Sequence, residues 1–212
     1  MTDLWSERAE QYRTSDAHRE GPDLDLIVEW AAGAGTALDV ATGGGHVARR
    51  LRAAGIQVVS SDPAPGMRPD VVCAAEHLPF ADGSFDVVVT RVAAHHFQDV
   101  RGAVSEMARV AAEAVLIVDN NFMSEQVEEA ERLRDPSHVR NYGEAEWRSF
   151  VEQAGLEVDE VRYFEKPIAL QPWLDRCGCE GEEAERVIDL LGDRVQGDLV
   201  VLDRIALKAV PA

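Results

Sequence analysis

Three consecutive glycines, Gly43, Gly44 and Gly45, stand directly behind the short apolar run Ala37–Ala41 and before a helical pattern from His46 to Ala54. No other stretch limits the fold as strongly. A turn without Cβ atoms lets a ligand come close to the backbone. The helix that follows aims its free N–H groups at that point. The next apolar run, Ile56–Ser60, ends at Asp62, 17 residues after Gly45. A carboxylate there can accept both hydroxyls of a ribose.

The rest of the chain continues the alternation. Helical patterns cover residues 4–13, Pro22–Ala32, Val100–Val110 and Glu144–Ala154. Apolar strand-like runs occupy Phe85–Val89, Val115–Val118, Val158–Phe164 and Leu199–Ala209. Short buried strands separated by helices make an open, mostly parallel sheet covered on both faces. At 212 residues the chain suits a single domain, 1–212. Two acidic, helical stretches, 124–142 and 172–192, follow late strands and read as a small cap over the ligand end of the sheet, with 1–20 as an N-terminal lid. As solvated surface helices they would look the same in sequence.

The chain holds 39 Asp+Glu against 21 Lys+Arg, a net charge of -18. Such a surface repels phosphates, so neither nucleic acid nor an anionic membrane is expected as a partner. Three cysteines, Cys73, Cys177 and Cys179, form no disulfide framework. Neither a metal set nor a redox pair is read into Cys177-Gly-Cys179. The opening residues Met1–Trp5 carry no signal-peptide pattern and no apolar run reaches membrane-spanning length, so a cytoplasmic protein is expected.

Gly43-Gly44-Gly45-His46-Val47-Ala48 also satisfies the dinucleotide fingerprint, which keeps a nicotinamide-dependent oxidoreductase open. Asp39 speaks against it, because a carboxylate beside the turn would face a doubly charged pyrophosphate. A ligand carrying a sulfonium and an ammonium tolerates that acid.

Leu38-Asp39-Val40-Ala41-Thr42-Gly43-Gly44-Gly45 resembles the first motif of the class I S-adenosylmethionine-dependent methyltransferases, in the small-molecule group similar to ubiquinone/menaquinone C-methyltransferases. Ser60-Ser61-Asp62 matches their ribose-binding acid. Ala75–Phe80 with Asp82–Val88, and Arg91–Phe97 with Asp99, match later segments, so the resemblance covers about residues 8–165. It implies a Rossmann-like, seven-stranded sheet with one antiparallel strand, a methyl transfer to a small molecule, and S-adenosylmethionine as cofactor. Ala41, Thr42, Gly43 and Gly45 would line its methionine part, with Asp39 near the ammonium. Asp62 and the adjoining Pro63 would sit at the ribose, with Met67 on the adenine. Ala75 and Glu76 would edge the adenine, and Arg91 would lie near the methionine carboxylate.

Ala41 replaces a common glycine, and Ala74 replaces a common acid. Residues 63–70, with prolines at 63, 65 and 69, are too short for the family's crossover helix. The fold is therefore expected to be truncated between strands 2 and 3, with an extended loop, a weak third strand and a thinly covered face that could pair two copies as a homodimer. The lost elements also leave a non-catalytic methyltransferase-like binding protein as an alternative.

Methyl transfer from a sulfonium needs no metal, and needs a base only for a poor nucleophile. His95 and His96 are the base candidates, since histidine titrates near neutrality. Tyr12 and His18 are candidate acceptor contacts from the lid, and Asn120 from the end of the fifth strand. Oxygen, nitrogen and carbon acceptors all remain open.

Overall fold

The computed structural model describes residues 2–212; Met1 of the expected lid lies outside them. The strands are β1 (Thr36–Val40), β2 (Gln57–Asp62), β3 (Val71–Val72), β4 (Phe85–Arg91), β5 (Ala111–Asn120), β6 (Leu156–Ala169), β7 (Val195–Gln196) and β8 (Leu199–Pro211). The helices are α1 (Thr2–Thr14), α2 (Asp16–Arg19), α3 (Pro22–Trp30), α4 (His46–Ala53), α5 (Val100–Val110), α6 (Glu125–Arg134), α7 (Glu144–Gln153), α8 (Leu170–Asp175) and α9 (Gly181–Leu191).

Seven strands run in the order β3-β2-β1-β4-β5-β8-β6, and the two-residue β7 adds a short hairpin on β8. β3, β2, β1, β4 and β5 are parallel, while β8 runs antiparallel between β5 and β6. The doubly wound dinucleotide fold instead extends in parallel through its sixth strand. The expected antiparallel pair is therefore present, and longer than the apolar runs suggested. Two apolar layers cover the sheet: Leu24, Ile27 and Leu51 belong to one, and Val104, Met107 and Trp147 to the other.

The shortened β2–β3 connection is a compact 3₁₀ turn at Pro65–Met67, not an extended loop. β3 is short, as expected. The N-terminal helix takes the place above the turn, packing Ala9 with Ala64 and Met67. Ser6 Oγ accepts from the Gly66 N–H at 3.0 Å, and Arg13 donates to the Gly66 carbonyl at 2.9 Å. A Cβ on Gly66 would fall 2.6 Å from the Ser6 Cα, so only glycine admits this crossing. Among the described residues the exposed large apolar side chains are Val72, Tyr163 and Leu199, and the first two lie on opposite edges of the sheet.

The acidic stretches are helical only in part, because residues 135–143 leave the helix. α6, α8 and α9 share an apolar cluster with Val200 and Leu202 of β8. That part of β8 lies beyond the end of β5, where Asn120 pairs with Arg204. The cluster therefore stands over the ligand edge of the sheet. No helix among the described residues is long and apolar enough to cross a membrane.

Candidate active site

A cavity of about 320 Å³ opens at the carboxyl ends of β1, β2 and β4. This is the low end of the ~300–1,000 Å³ typical of small-molecule sites. Asp39, Ala41, Thr42, Gly43, Asp62, Pro63, Met67, Ala75, Glu76, Arg91, Tyr12, His18 and His96 all line it. Gly45 does not; it sits behind the turn at φ 73, leading into α4. His95 and Asn120 do not line it either. His95 is 4% exposed and turns its Nδ1 to Asp119 Oδ1 at 2.5 Å. Asn120 is 5% exposed and its side-chain oxygen meets no partner. The structure thus separates the adjacent histidines: one faces the cavity, the other the interior.

Ala41 adopts φ 55, a conformation that favours glycine, which explains why glycine is common there. Val92, just past β4 in the cavity wall, sits at φ 53. For a β-branched residue that is a costly geometry, of a kind found at ligand sites.

Asp39 Oδ2 accepts from Thr42 Oγ1 at 2.5 Å and from the Ala48 N–H at 3.0 Å. Burial nevertheless pushes its carboxyl up to about 6. Asp62 receives one backbone N–H on each oxygen, from Gly43 at 2.9 Å and from Ala64 at 2.9 Å. Each oxygen keeps further lone pairs for a ligand. Burial raises this carboxyl too, against those two hydrogen bonds.

Arg91 is anchored from behind. Its Nε donates to Asp23 Oδ2 at 2.7 Å and its Nη1 to the His18 carbonyl at 3.0 Å. Arg204 donates to the same Asp23 oxygen at 2.9 Å. Arg91 Nη2 is buried without a partner. A buried guanidinium nitrogen left unpaired beside a cavity is a ready site for a carboxylate.

Opposite the acids, His96 Nδ1 lies 3.1 Å from the Ser137 carbonyl. A carbonyl only accepts, so Nδ1 carries the hydrogen and Nε2 the lone pair. Burial, reinforced by the neighbouring His95, holds His96 well below the usual histidine range, so its ring is neutral. Trp5 packs edge-on at 4.7 Å from the His96 ring, and Tyr12 lies 5.8 Å from Trp5.

The sequence reading missed Trp5, Gly44, His46, Val47, Ala74, Val92, Ala93, Phe97 and Gln98 in the lining. Trp5 was accessible: it stands seven residues before Tyr12, on the same helical face. Gly44 and His46 were not, because their role depends on α1 resting on them. A Cβ on Gly44 would fall 2.7 Å from the Tyr12 carbonyl oxygen.

Residues 38–118 match the family described as "Methyltransferase domain". YcgJ of Bacillus subtilis (strain 168), an uncharacterized methyltransferase, is 32% identical over 209 residues, 87% of this chain and 82% of that protein. The YcgJ crystal structure superposes with a TM-score of 0.79 at 27% identity, covering 89% of this chain and 97% of that one. A Haemonchus contortus N-methyltransferase solved with phosphomonomethylethanolamine and S-adenosylhomocysteine shares the fold at 16% identity and a TM-score of 0.62, covering 89% and 52%.

Proposed function

This chain belongs to the class I S-adenosylmethionine-dependent methyltransferases, and on that premise we propose that it methylates a small acceptor bearing an ionisable O–H or N–H, with His96 as the proton acceptor. Use of S-adenosylmethionine is a property of the family; its placement here is our reading.

One observation carries that placement: a single cavity sets two buried acids, Asp39 and Asp62, against a buried cation with an unspent donor, Arg91. A zwitterionic nucleoside fits this polarity. Arg91 Nη2 would hold its carboxylate, Asp39 its ammonium and Asp62 its ribose hydroxyls. Met67, Ala75 and Glu76 would border the adenine. When bound, the cofactor supplies a sulfonium methyl group that an acceptor lone pair displaces, leaving a neutral thioether.

The chain's own residues do the remainder. Trp5, Tyr12 and Phe97 provide apolar surface around the acceptor and exclude water. His96 Nε2 meets no hydrogen-bond partner among the described residues, so its lone pair is free to take the acceptor's proton. The small cavity, closed by Trp5, Tyr12 and His18 of the N-terminal helices as a lid, favours a small acceptor over a macromolecule. The acidic surface agrees with that choice.

Calorimetry with S-adenosylmethionine, S-adenosylhomocysteine and NADH tests the reading. The first two are expected to bind and NADH is not. NADH binding without S-adenosylmethionine binding would overturn it.

A further inference from the structure

The segment Asp135-Pro136-Ser137, which leaves the cap helix α6, reaches the cavity lining at His96. We propose that Ser137 and Asp135 are positioning residues that hold His96 in one tautomer and receive the charge it gains. This rests on the reading of His96 as the proton acceptor.

Four contacts define the arrangement. His96 Nδ1 lies 3.1 Å from the Ser137 carbonyl and 3.3 Å from Ser137 Oγ. Ser137 Oγ donates to Asp135 Oδ1 at 2.6 Å, which commits the hydroxyl hydrogen and leaves its lone pairs towards His96. The Ser137 N–H donates to the same oxygen at 3.1 Å, closing a tight loop around the carboxylate. Asp135 is 0% exposed, so its charge is screened little by water.

The remaining partners of Asp135 tie this relay to the lid and the cap. Arg8 of α1 donates to Oδ1 at 3.3 Å, and the Cys177 thiol to Oδ2 at 3.2 Å. Arg8 also donates to the Cys177 carbonyl at 3.2 Å. Trp5, one turn earlier on α1, packs edge-on against the His96 ring. Closure of α1 therefore completes the arrangement: one of its residues steadies the imidazole and another the carboxylate behind it.

The proton balance is simple. The acceptor's proton passes to His96 Nε2, and the ring becomes an imidazolium with hydrogens on both nitrogens. The Nδ1 hydrogen already points to Ser137, whose hydroxyl leads to the Asp135 carboxylate. The ionisable groups that face His96 are His95, His138 and Asp135. His95 is held by Asp119, and His138 by Glu128 and Glu131. Asp135 alone is linked to His96 through a hydrogen-bonded hydroxyl.

Nitrogen-15 NMR of histidine in the full chain, saturated with S-adenosylhomocysteine, reads the tautomer directly, with His96→Ala assigning the signals. The wild type is expected to show protonated Nδ1 and bare Nε2. Asp135→Asn and Ser137→Ala are expected to raise the Nε2-protonated fraction about fivefold, the worth of one neutral hydrogen bond. Protonated Nε2 in the wild type would overturn the proposal, and so would an unchanged tautomer ratio in a folded variant. Ser137→Ala serves if Asp135→Asn does not fold, since it removes only the hydroxyl. Calorimetry with S-adenosylhomocysteine on the same samples reports the cofactor reading separately. Binding with the wrong tautomer sinks only the relay, while absent binding sinks the functional reading and leaves the tautomer to decide the relay.

Discussion

His46 reaches across the glycine turn to the N-terminal helix: its Nε2 donates to the Tyr12 carbonyl at 2.9 Å. Arg49 Nη2 donates to His46 Nδ1 at 2.7 Å, which fixes the hydrogen on Nε2. Burial lowers the His46 pKa, so the ring stays neutral. The first residue of α4 thus ties α1 to the glycine turn beside the cavity. His46→Ala is expected to speed S-adenosylhomocysteine release about fivefold, the worth of one hydrogen bond. Stopped-flow displacement would show it; an unaltered off-rate would leave this tie with no part in ligand release.

Asp62 is the proposed ribose contact. Hydrogen bonds to a charged group are worth ~1.5–3 kcal/mol, so Asp62→Ala should weaken S-adenosylmethionine binding at least about tenfold. Titration calorimetry measures this. Equal affinity in the variant would leave the acid with a structural role only, holding Gly43 and Ala64.

Asp39 makes binding depend on pH. Its folded-state value near 6 lies above the ordinary 3.8, so the folded apo-protein binds the proton more tightly than the unfolded chain does. Stability from this group is greatest in acid and is lost as pH rises from about 4 through 6. A cofactor ammonium favours the ionised form, so binding should release a proton near pH 5.5, release almost none at pH 8, and tighten between those values. Calorimetry in buffers of different ionisation enthalpy counts the proton; none released at pH 5.5 would disprove the ammonium contact.

Ala41 carries a Cβ at φ 55, where glycine is unstrained. Ala41→Gly relieves on the order of 1 kcal/mol of strain, less the entropy glycine loses on folding. A melting temperature raised by about 1–3 °C is expected in scanning calorimetry. A fall would mean that the methyl packs better than its backbone suffers.

His138 lies between two carboxylates: its Nε2 is 3.0 Å from Glu128 and its Nδ1 is 3.4 Å from Glu131, with every side chain at most 1% exposed. Removing the histidine takes away the one imidazole between the two carboxylates and leaves Glu128 Oε2 with the Asn141 N–H at 3.1 Å. His138→Leu should cost ~3–5 kcal/mol and lower the melting temperature by roughly 10 °C. A melting point within 2 °C of wild type would show that the imidazole contributes little to holding the two side chains.

Much of the architecture was legible because it rests on local signals. The helix over Val100–Val110 follows from a 3.6-residue apolar period with Asp99 in place as its cap. The truncation after β2 follows from counting residues and prolines. What escaped depended on partners distant in the chain. His95 and His96 are neighbours with the same chemistry, and only a 3₁₀ turn at Ala94–His96 sends one ring to Asp119 and the other to the cavity. Asn120 ends the expected strand, yet it does not line the cavity.

By itself the sequence determined the strand–turn–helix at residues 36–53, the acid at the end of β2 and the family these imply, since spacing and missing Cβ atoms act within a few residues. The tertiary structure alone decided which histidine faces the cavity, that α1 replaces the lost crossover helix, and that Arg91 keeps one donor unspent. Those outcomes come from burial and hydrogen bonds between segments up to 181 residues apart, such as Asp23 and Arg204, and no local pattern encodes such a meeting.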